Sequence, residues 1–245
     1  MKTAILVISF GTSHRDTLEK TIGAVEKKLK YEFKTDIFRA FTSGMIIKKL
    51  RERDGIEIDT VDEALDKLYK SGYTDIFCVP THIMCGIEYD KACRMIEKFN
   101  DKMKIRISRP LVTETIDYYS IVDIFKHRLT DKNRLYVFMG HGSDHFANAA
   151  YPALDYHFKN ADMNNVFVGT VEGFPDLETV MSHATKTDIK KCKHYFRLCL
   201  YAVTTQKMIW LSNGKKNLKI TVSMSSATLR DLAKLKKYKI CTPSI

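Results

Sequence analysis

The chain has 245 residues, enough to bury a sizeable core as one large or two small domains. Its 44% hydrophobic and 28% charged content is that of an ordinary globular protein, and no run of 18 apolar residues is present to cross a membrane. The net charge of +11 is unevenly spread: residues 186–245 carry 14 Lys/Arg against two acids, a net +12, and residues 1–185 stand near neutrality. The body of the chain therefore offers no reason to expect a nucleic-acid or membrane partner.

Six cysteines (Cys78, Cys85, Cys93, Cys192, Cys199, Cys241) show neither a CxxC pair nor metal-ligand spacing, as expected of free thiols in a reducing, cytoplasmic setting. Residues 3–10 follow Lys2 but lack an Ala-x-Ala cleavage site and run into Gly11-Thr12-Ser13, so they read as a strand and not as a signal core.

In chain order, residues 4–10 form a first strand and Gly11-Thr12-Ser13-His14 its exit loop. Leu18, Ile22, Val25 and Leu29 recur at helical spacing, which predicts one helix over 17–29. Residues 36–41 are a second strand, with Thr42 or Ser43 capping the helix that carries Met45, Ile46, Ile47 and Leu50. Asp59 or Thr60 caps another, bearing Val61, Ala64, Leu65 and Leu68, and Gly72 ends it. A third strand over 75–79 leads into a loop that includes His82 and Glu88. A helix over 90–100, a strand over 103–107 and a helix over 115–129 complete a first half, residues 1–130.

The second half restarts with Leu135-Tyr-Val-Phe-Met-Gly-His141-Gly-Ser143, an apolar strand closed by a glycine turn with a histidine at its tip. A helix near 147–158, a strand over 166–171 and a helix from Asp176 follow. Strands alternating with helices of ten to fifteen residues predict an α/β fold with doubly wound parallel sheets. Residues 5–12 echo 136–141 in kind, with Thr12 opposite His141, as two similar halves would.

Ligands in such folds bind beyond the carboxyl ends of the strands. Three polar residues fall there: Glu88, His141 and Glu172. Neutral His141 is able to take a metal or a proton, or to serve as a hydrogen-bonded loop residue. Glu172 reads as a carboxylate ligand beside it, or as a helix cap or surface acid, and the nitrogen-plus-oxygen pair would suit Co2+, Ni2+, Fe2+ or Zn2+. Glu88 reads as a site acid or a solvated helix-start residue. His145 sits on a helix face or pocket edge, and His82 lines the same crevice or packs against its loop.

Five segments carry a family resemblance: Ser9-Phe-Gly-Thr-Ser13, Phe38-Arg-Ala-Phe-Thr-Ser-Gly-Met-Ile-Ile47, Arg53-Asp-Gly-Ile56, Phe138-Met-Gly-His-Gly142 and Val168-Gly-Thr-Val-Glu172. Over residues 2–190 the chain resembles the CbiK-type anaerobic sirohydrochlorin cobaltochelatases, relatives of ferrochelatase. The resemblance implies two similar halves facing a central cleft that holds a tetrapyrrole. It implies insertion of Co2+, as substrate metal and without an organic cofactor, into sirohydrochlorin on the way to cobalamin. His141 would be proton acceptor and metal ligand, Glu172 a second ligand and Glu88 an assisting acid. Ser9, Gly11, Thr12, Ser13, His82 and Ser143 would line the substrate site. Homo-oligomeric assembly is left open. The alternatives are insertion of Fe2+ or Ni2+, and a non-catalytic tetrapyrrole- or metal-binding remnant.

The remnant reading arises because the family's third metal ligand, a histidine in a Gly-Asp-His-Ala motif due near residue 205, is absent. Residues 131–190 would begin the second half, and 191–245 form a basic tail without glutamate and with Gly214 as its one glycine. A reading-frame slip at Lys190-Lys191 accounts for both. From the third base of the Ala202 codon through Leu211, allowed codons in the shifted frame read Gly-Asp-His-Ala-Lys-Asn-Asp-Met-Ala. Over residues 229–241 the same frame reads Ser-Gly-Leu-Gly-Glu-Ile-Glu-Lys-Ile-Gln-Asp-Met, similar to the family's closing segment.

Overall fold

The computed structural model describes residues 2–186 and the backbone of 194–196. The chain divides into two compact units, one running to Thr113 and the other starting at Glu114. In the first, β1 (Thr3–Ser9), α1 (Arg15–Lys20) and α2 (Ile22–Phe33) lead to β2 (Asp36–Phe41). Then come α3 (Gly44–Asp54), α4 (Val61–Lys70), β3 (Asp75–Pro80), α5 (Ile87–Glu97) and β4 (Lys104–Ile107). All four strands are parallel, in the order β2-β1-β3-β4, with Ile5 level with Ile37 on one side and Phe77 on the other.

The central place of β1 explains its unbroken apolar run. Ala4, Leu6 and Ile8 join a layer with Val61, Leu65 and Leu68 of α4 and Ala92 and Ile96 of α5. Ile5 and Val7 pack on the other face with Leu18, Ile22 and Leu29 and with Ile46, Ile47 and Leu50 of α3. A parallel strand covered by helices on both faces has no polar side to show. Each fully buried aliphatic chain contributes roughly 1.5–3 kcal/mol. Of the alternative caps, Ser43 accepts from the Ile46 amide, and Thr60 forms a reciprocal capping box with Glu63.

The single helix expected over 17–29 is two. It breaks at Thr21 (φ −111°, ψ −81°), whose hydroxyl donates to the Thr17 carbonyl at 2.6 Å. This local hydrogen bond competes with helix propagation, and Gly23 lies just beyond. Helix α5 starts three residues before the expected 90, so Glu88 lies in its first turn.

The second unit comprises α6 (Thr115–Lys126), β5 (Tyr136–Gly140), a 3₁₀ turn (Phe146–Ala149), α7 (Ala150–Asn160), β6 (Val166–Thr170), α8 (Leu177–Thr185) and β7 (His194–Phe196). Its strands are parallel in the order β6-β5-β7. Leu135, Val137 and Phe167 pack with Val180 and Ala184 of α8. Phe138 stacks on Phe158 of α7 at 5.3 Å, and Phe125 of α6 meets Phe138 edge-on at 4.7 Å. Although the chain-order reading assigns α6 to residues 1–130, this aromatic cluster ties it to the second sheet. The apolar stripe of a helix shows that it needs a cover but does not identify the cover.

In each sheet the chain leaves the central strand for one neighbour and later returns to its other side, so β1/β3 and β5/β7 are topological switch points. Among the described residues no helix is long and apolar enough to cross a membrane.

Candidate metal centre

In the second sheet, the central strand β5 ends at Gly140 and delivers His141, and its neighbour β6 ends at Thr170 and delivers Glu172. Their turns are bound together through the backbone: the Glu172 amide donates to the His141 carbonyl at 2.7 Å, and the Val171 amide reaches the Gly140 and His141 carbonyls at 3.1 Å. Gly142 has φ +88°, and a Cβ there would stand 2.5 Å from the Gly173 nitrogen. Glycine is required at that point both for the backbone angle and for the close approach of the second turn. Gly140 is held as tightly, since an added Cβ would lie 2.1 Å from the Tyr151 ring.

This packing sets His141 Nε2 3.3 Å from Glu172 Oε2, with the two side chains 44% and 66% exposed. Nitrogen and oxygen ligands at about 2.1 Å from a tetrahedral cation stand about 3.4 Å apart. The observed spacing thus admits a metal between the two donors with little movement, and their exposure leaves room for further ligands. Among the described residues no group of three or more His, Cys, Asp and Glu forms a closed metal cage. Position 205, where a third ligand is expected, and the proposed frame slip lie outside the described residues. Glu172 is not a helix cap: Asp176 caps α8 by accepting from the Thr179 amide at 2.7 Å.

Ser143 shares the His141 turn, where its hydroxyl accepts from the His145 amide at 3.0 Å. His145 caps the 3₁₀ turn by accepting from the Ala147 amide at 3.2 Å, and its ring tilts against Phe146 at 3.9 Å. Its Nδ1 is thereby engaged in forming the turn.

The other sequence-predicted residues gather at the carboxyl end of the first sheet. Ser9 is buried, its hydroxyl accepting from Thr81 at 2.8 Å, and buried Thr12 accepts from the His14 amide at 3.3 Å. Gly11 has φ +102° and lies against the Phe41 ring. That edge holds six of the eight buried, unpartnered side-chain polar atoms among the described residues: Ser13 Oγ, Thr42 Oγ1, both ring nitrogens of His82, Glu88 Oε2 and Ser108 Oγ. Such atoms cost free energy unless a ligand or water satisfies them, so their concentration makes this edge a candidate binding surface.

Burial pushes the His82 imidazole down to about 4, and the ring meets Tyr89 edge-on at 6.5 Å. Glu88 is a helix-start residue, as the alternative reading has it, but is only 18% exposed; Lys91 lies 3.9 Å from it and donates to the Thr42 carbonyl at 2.5 Å. Lys91 and Ser108 escaped the sequence reading, and Thr42 entered it only as a candidate helix cap and as part of a resemblance segment. The i,i+3 spacing of Glu88 and Lys91 was the one available signal.

Two α/β units, each built on a parallel sheet, with a histidine–carboxylate pair at the strand ends of the second, define a protein of chelatase-like fold. The fold likeness extends to the crystal structure of the sirohydrochlorin chelatase SirB from Bacillus subtilis subspecies spizizenii in complex with cobalt. The TM-score is 0.54 at 17% identity, over 80% of this chain and 74% of that one. SirB from Bacillus subtilis with Fe3+ matches equally well, at 0.54 and 16% identity over 80% and 75%.

At the sequence level, residues 3–202 match the family model of the cobalt chelatase CbiK, and the chain belongs to that family. It is 42% identical over 185 residues to the sirohydrochlorin cobaltochelatase of Salmonella typhimurium, covering 74% of this chain and 70% of the relative. To the sirohydrochlorin cobaltochelatase CbiKC of Nitratidesulfovibrio vulgaris it is 26% identical over 196 residues, covering 77% and 68%. The family match runs beyond Lys191, where the sequence reading sets the departure from the family, and strand β7 pairs with β5 in that stretch.

Proposed function

We propose that the protein is a sirohydrochlorin cobaltochelatase that inserts Co2+ into the tetrapyrrole as a step toward cobalamin. The observation that carries this reading is the His141–Glu172 pair, a nitrogen and an oxygen donor 3.3 Å apart at the end of β5, in a chain of the cobalt chelatase family. Metallation exchanges two pyrrole protons for one divalent cation. The protein must hold the metal loosely enough to release it and must accept protons as nitrogen ligands replace protein ligands. Two donors with open positions meet the first need. His141, through an imidazole nitrogen, meets the second and returns its proton to solvent.

Within the first unit, Glu88 is assigned as an assisting acid, and Ser9, Gly11, Thr12, Ser13 and His82 as the sheet edge that contacts the macrocycle; Ser143 does so in the second unit. The unpartnered hydroxyls of Ser13, Thr42 and Ser108 suit a substrate rich in carboxylates. No organic cofactor is needed, because metal insertion is neither a redox nor a group-transfer reaction. The protein is assigned to the cytoplasm, where unoxidised cysteines such as Cys78 and Cys93 persist.

The test is anaerobic incubation of the purified chain with Co2+ and sirohydrochlorin, followed by absorbance. Catalytic formation of cobalt-sirohydrochlorin is expected, with Co2+ preferred to Fe2+ and Ni2+. A saturable spectral shift without metallated product would replace the enzyme reading with that of a binding protein.

A further inference from the structure

The His141 and Glu172 turns are joined by a third group that the metal-site reading does not include. Asn148 sits in the 3₁₀ turn, where its own amide donates to the His145 carbonyl at 2.9 Å. Its side-chain oxygen accepts from the Ser143 amide at 3.1 Å, two residues past His141. Its side-chain nitrogen donates to the Phe174 carbonyl at 2.7 Å, two residues past Glu172. One carboxamide thus ties both ligand turns to a single rigid point, and the two partners fix its orientation, since an amide N–H needs an acceptor and a carbonyl needs a donor. Gly173 makes room for it: a Cβ there would stand 2.5 Å from Asn148 Oδ1.

We propose that Asn148 is a positioning residue that sets the separation of the two metal donors by clamping their turns. The inference rests on the assignment of His141 and Glu172 as ligands. Groups that orient metal ligands from behind are worth roughly 10- to 100-fold in metal affinity or activity. A neutral amide performs this role without adding a charge beside Glu172, and carboxamide geometry is the only part of it that the clamp uses.

Asn148→Leu fills much the same space with neither hydrogen bond, and Asn148→Ala removes both bonds and the bulk. Co2+ titration by calorimetry without tetrapyrrole, with steady-state KM values for each substrate and a thermal midpoint, separates the possibilities. Both variants should bind Co2+ roughly 10- to 100-fold more weakly and raise KM for Co2+, leaving KM for sirohydrochlorin at the parent value. A folded Asn148→Leu that binds Co2+ as the parent does would overturn the clamp. So would a proportional rise in both KM values accompanied by a falling thermal midpoint, which marks a general structural role. His141→Ala serves as the reference: a parent that binds Co2+ no better than His141→Ala would remove the ligand assignment itself, and the clamp with it.

Discussion

His141 and Gly142 are adjacent, yet substitution at each should fail in its own way. His141→Ala deletes both a donor and the proposed base, and should cut kcat/KM for cobalt insertion by about two to four orders of magnitude while the chain stays folded. Retained turnover in that variant would remove His141 from the chemistry. Gly142→Ala keeps every functional group but asks an L-residue to hold φ +88° with its Cβ 2.5 Å from the Gly173 nitrogen. Backbone strain of about 1–3 kcal/mol adds to the clash, so the two turns should part, with Co2+ affinity and thermal midpoint falling together. His82 offers a test of burial through pH. Its folded-state value is depressed from 6.5 to about 4, so the unfolded chain binds the extra proton first as pH falls. Its contribution is therefore complete above about pH 6.5 and is lost progressively down to about pH 4, a change of roughly 3 kcal/mol. His82→Gln should flatten the acid limb of urea-derived stability over that interval. An unchanged limb would mean that the imidazole titrates normally.

Among elements, the legible ones were those whose burial leaves a periodic trace. β1, β2 and β3 were visible as apolar or alternating runs, and α4 as Val61, Ala64, Leu65 and Leu68 behind a capping residue, because covering a sheet face imposes that spacing. The positions of His141 and Glu172 are legible for a related reason: each lies just beyond the carboxyl end of a buried strand. What stayed hidden depends on partners distant in sequence. The break at Thr21 needs a side-chain hydrogen bond, the docking of α6 on the second sheet needs Phe138 and Phe158, and Asn148 acts only because two remote turns meet beside it. Ser108 is unremarkable in sequence and becomes informative through burial without a hydrogen-bond partner. The aromatic cluster supplies the prediction at this scale. Phe158→Ala removes the ring stacked on Phe138 and should cost about 3–5 kcal/mol in urea unfolding. Because β5 carries His141 beyond Phe138, the same variant should weaken cobalt binding, whereas Leu65→Ala in the first unit should cost about 2–5 kcal/mol and leave cobalt binding by the folded protein intact. Equal loss of cobalt binding in both would count against a metal centre confined to the β5 and β6 turns.

For the whole molecule, charge and coordination pose one question. Residues 1–185 are near neutrality and 186–245 carry net +12, an asymmetry that nothing in the proposed chemistry requires. The same stretch lacks the histidine that would complete a three-donor site, while a one-base shift supplies Gly-Asp-His-Ala near residue 205 together with new acidic residues. Restoring that frame should therefore lower the isoelectric point from about 9.2 and raise turnover at once, because one change adds carboxylates and a nitrogen ligand. The decisive observation is the nucleotide sequence across codons 185–245 in a fresh isolate, joined to a side-by-side assay of the two chains. A one-base difference between codons 190 and 203 is expected, since the family match runs to residue 202, with the restored chain inserting Co2+ faster and binding it more tightly. If the isolate keeps the present frame and both chains turn over equally, a histidine near 205 is not part of this centre. His141 and Glu172 would then bind Co2+ with ligands drawn from solvent and from the tetrapyrrole itself, as two exposed donors with open positions allow.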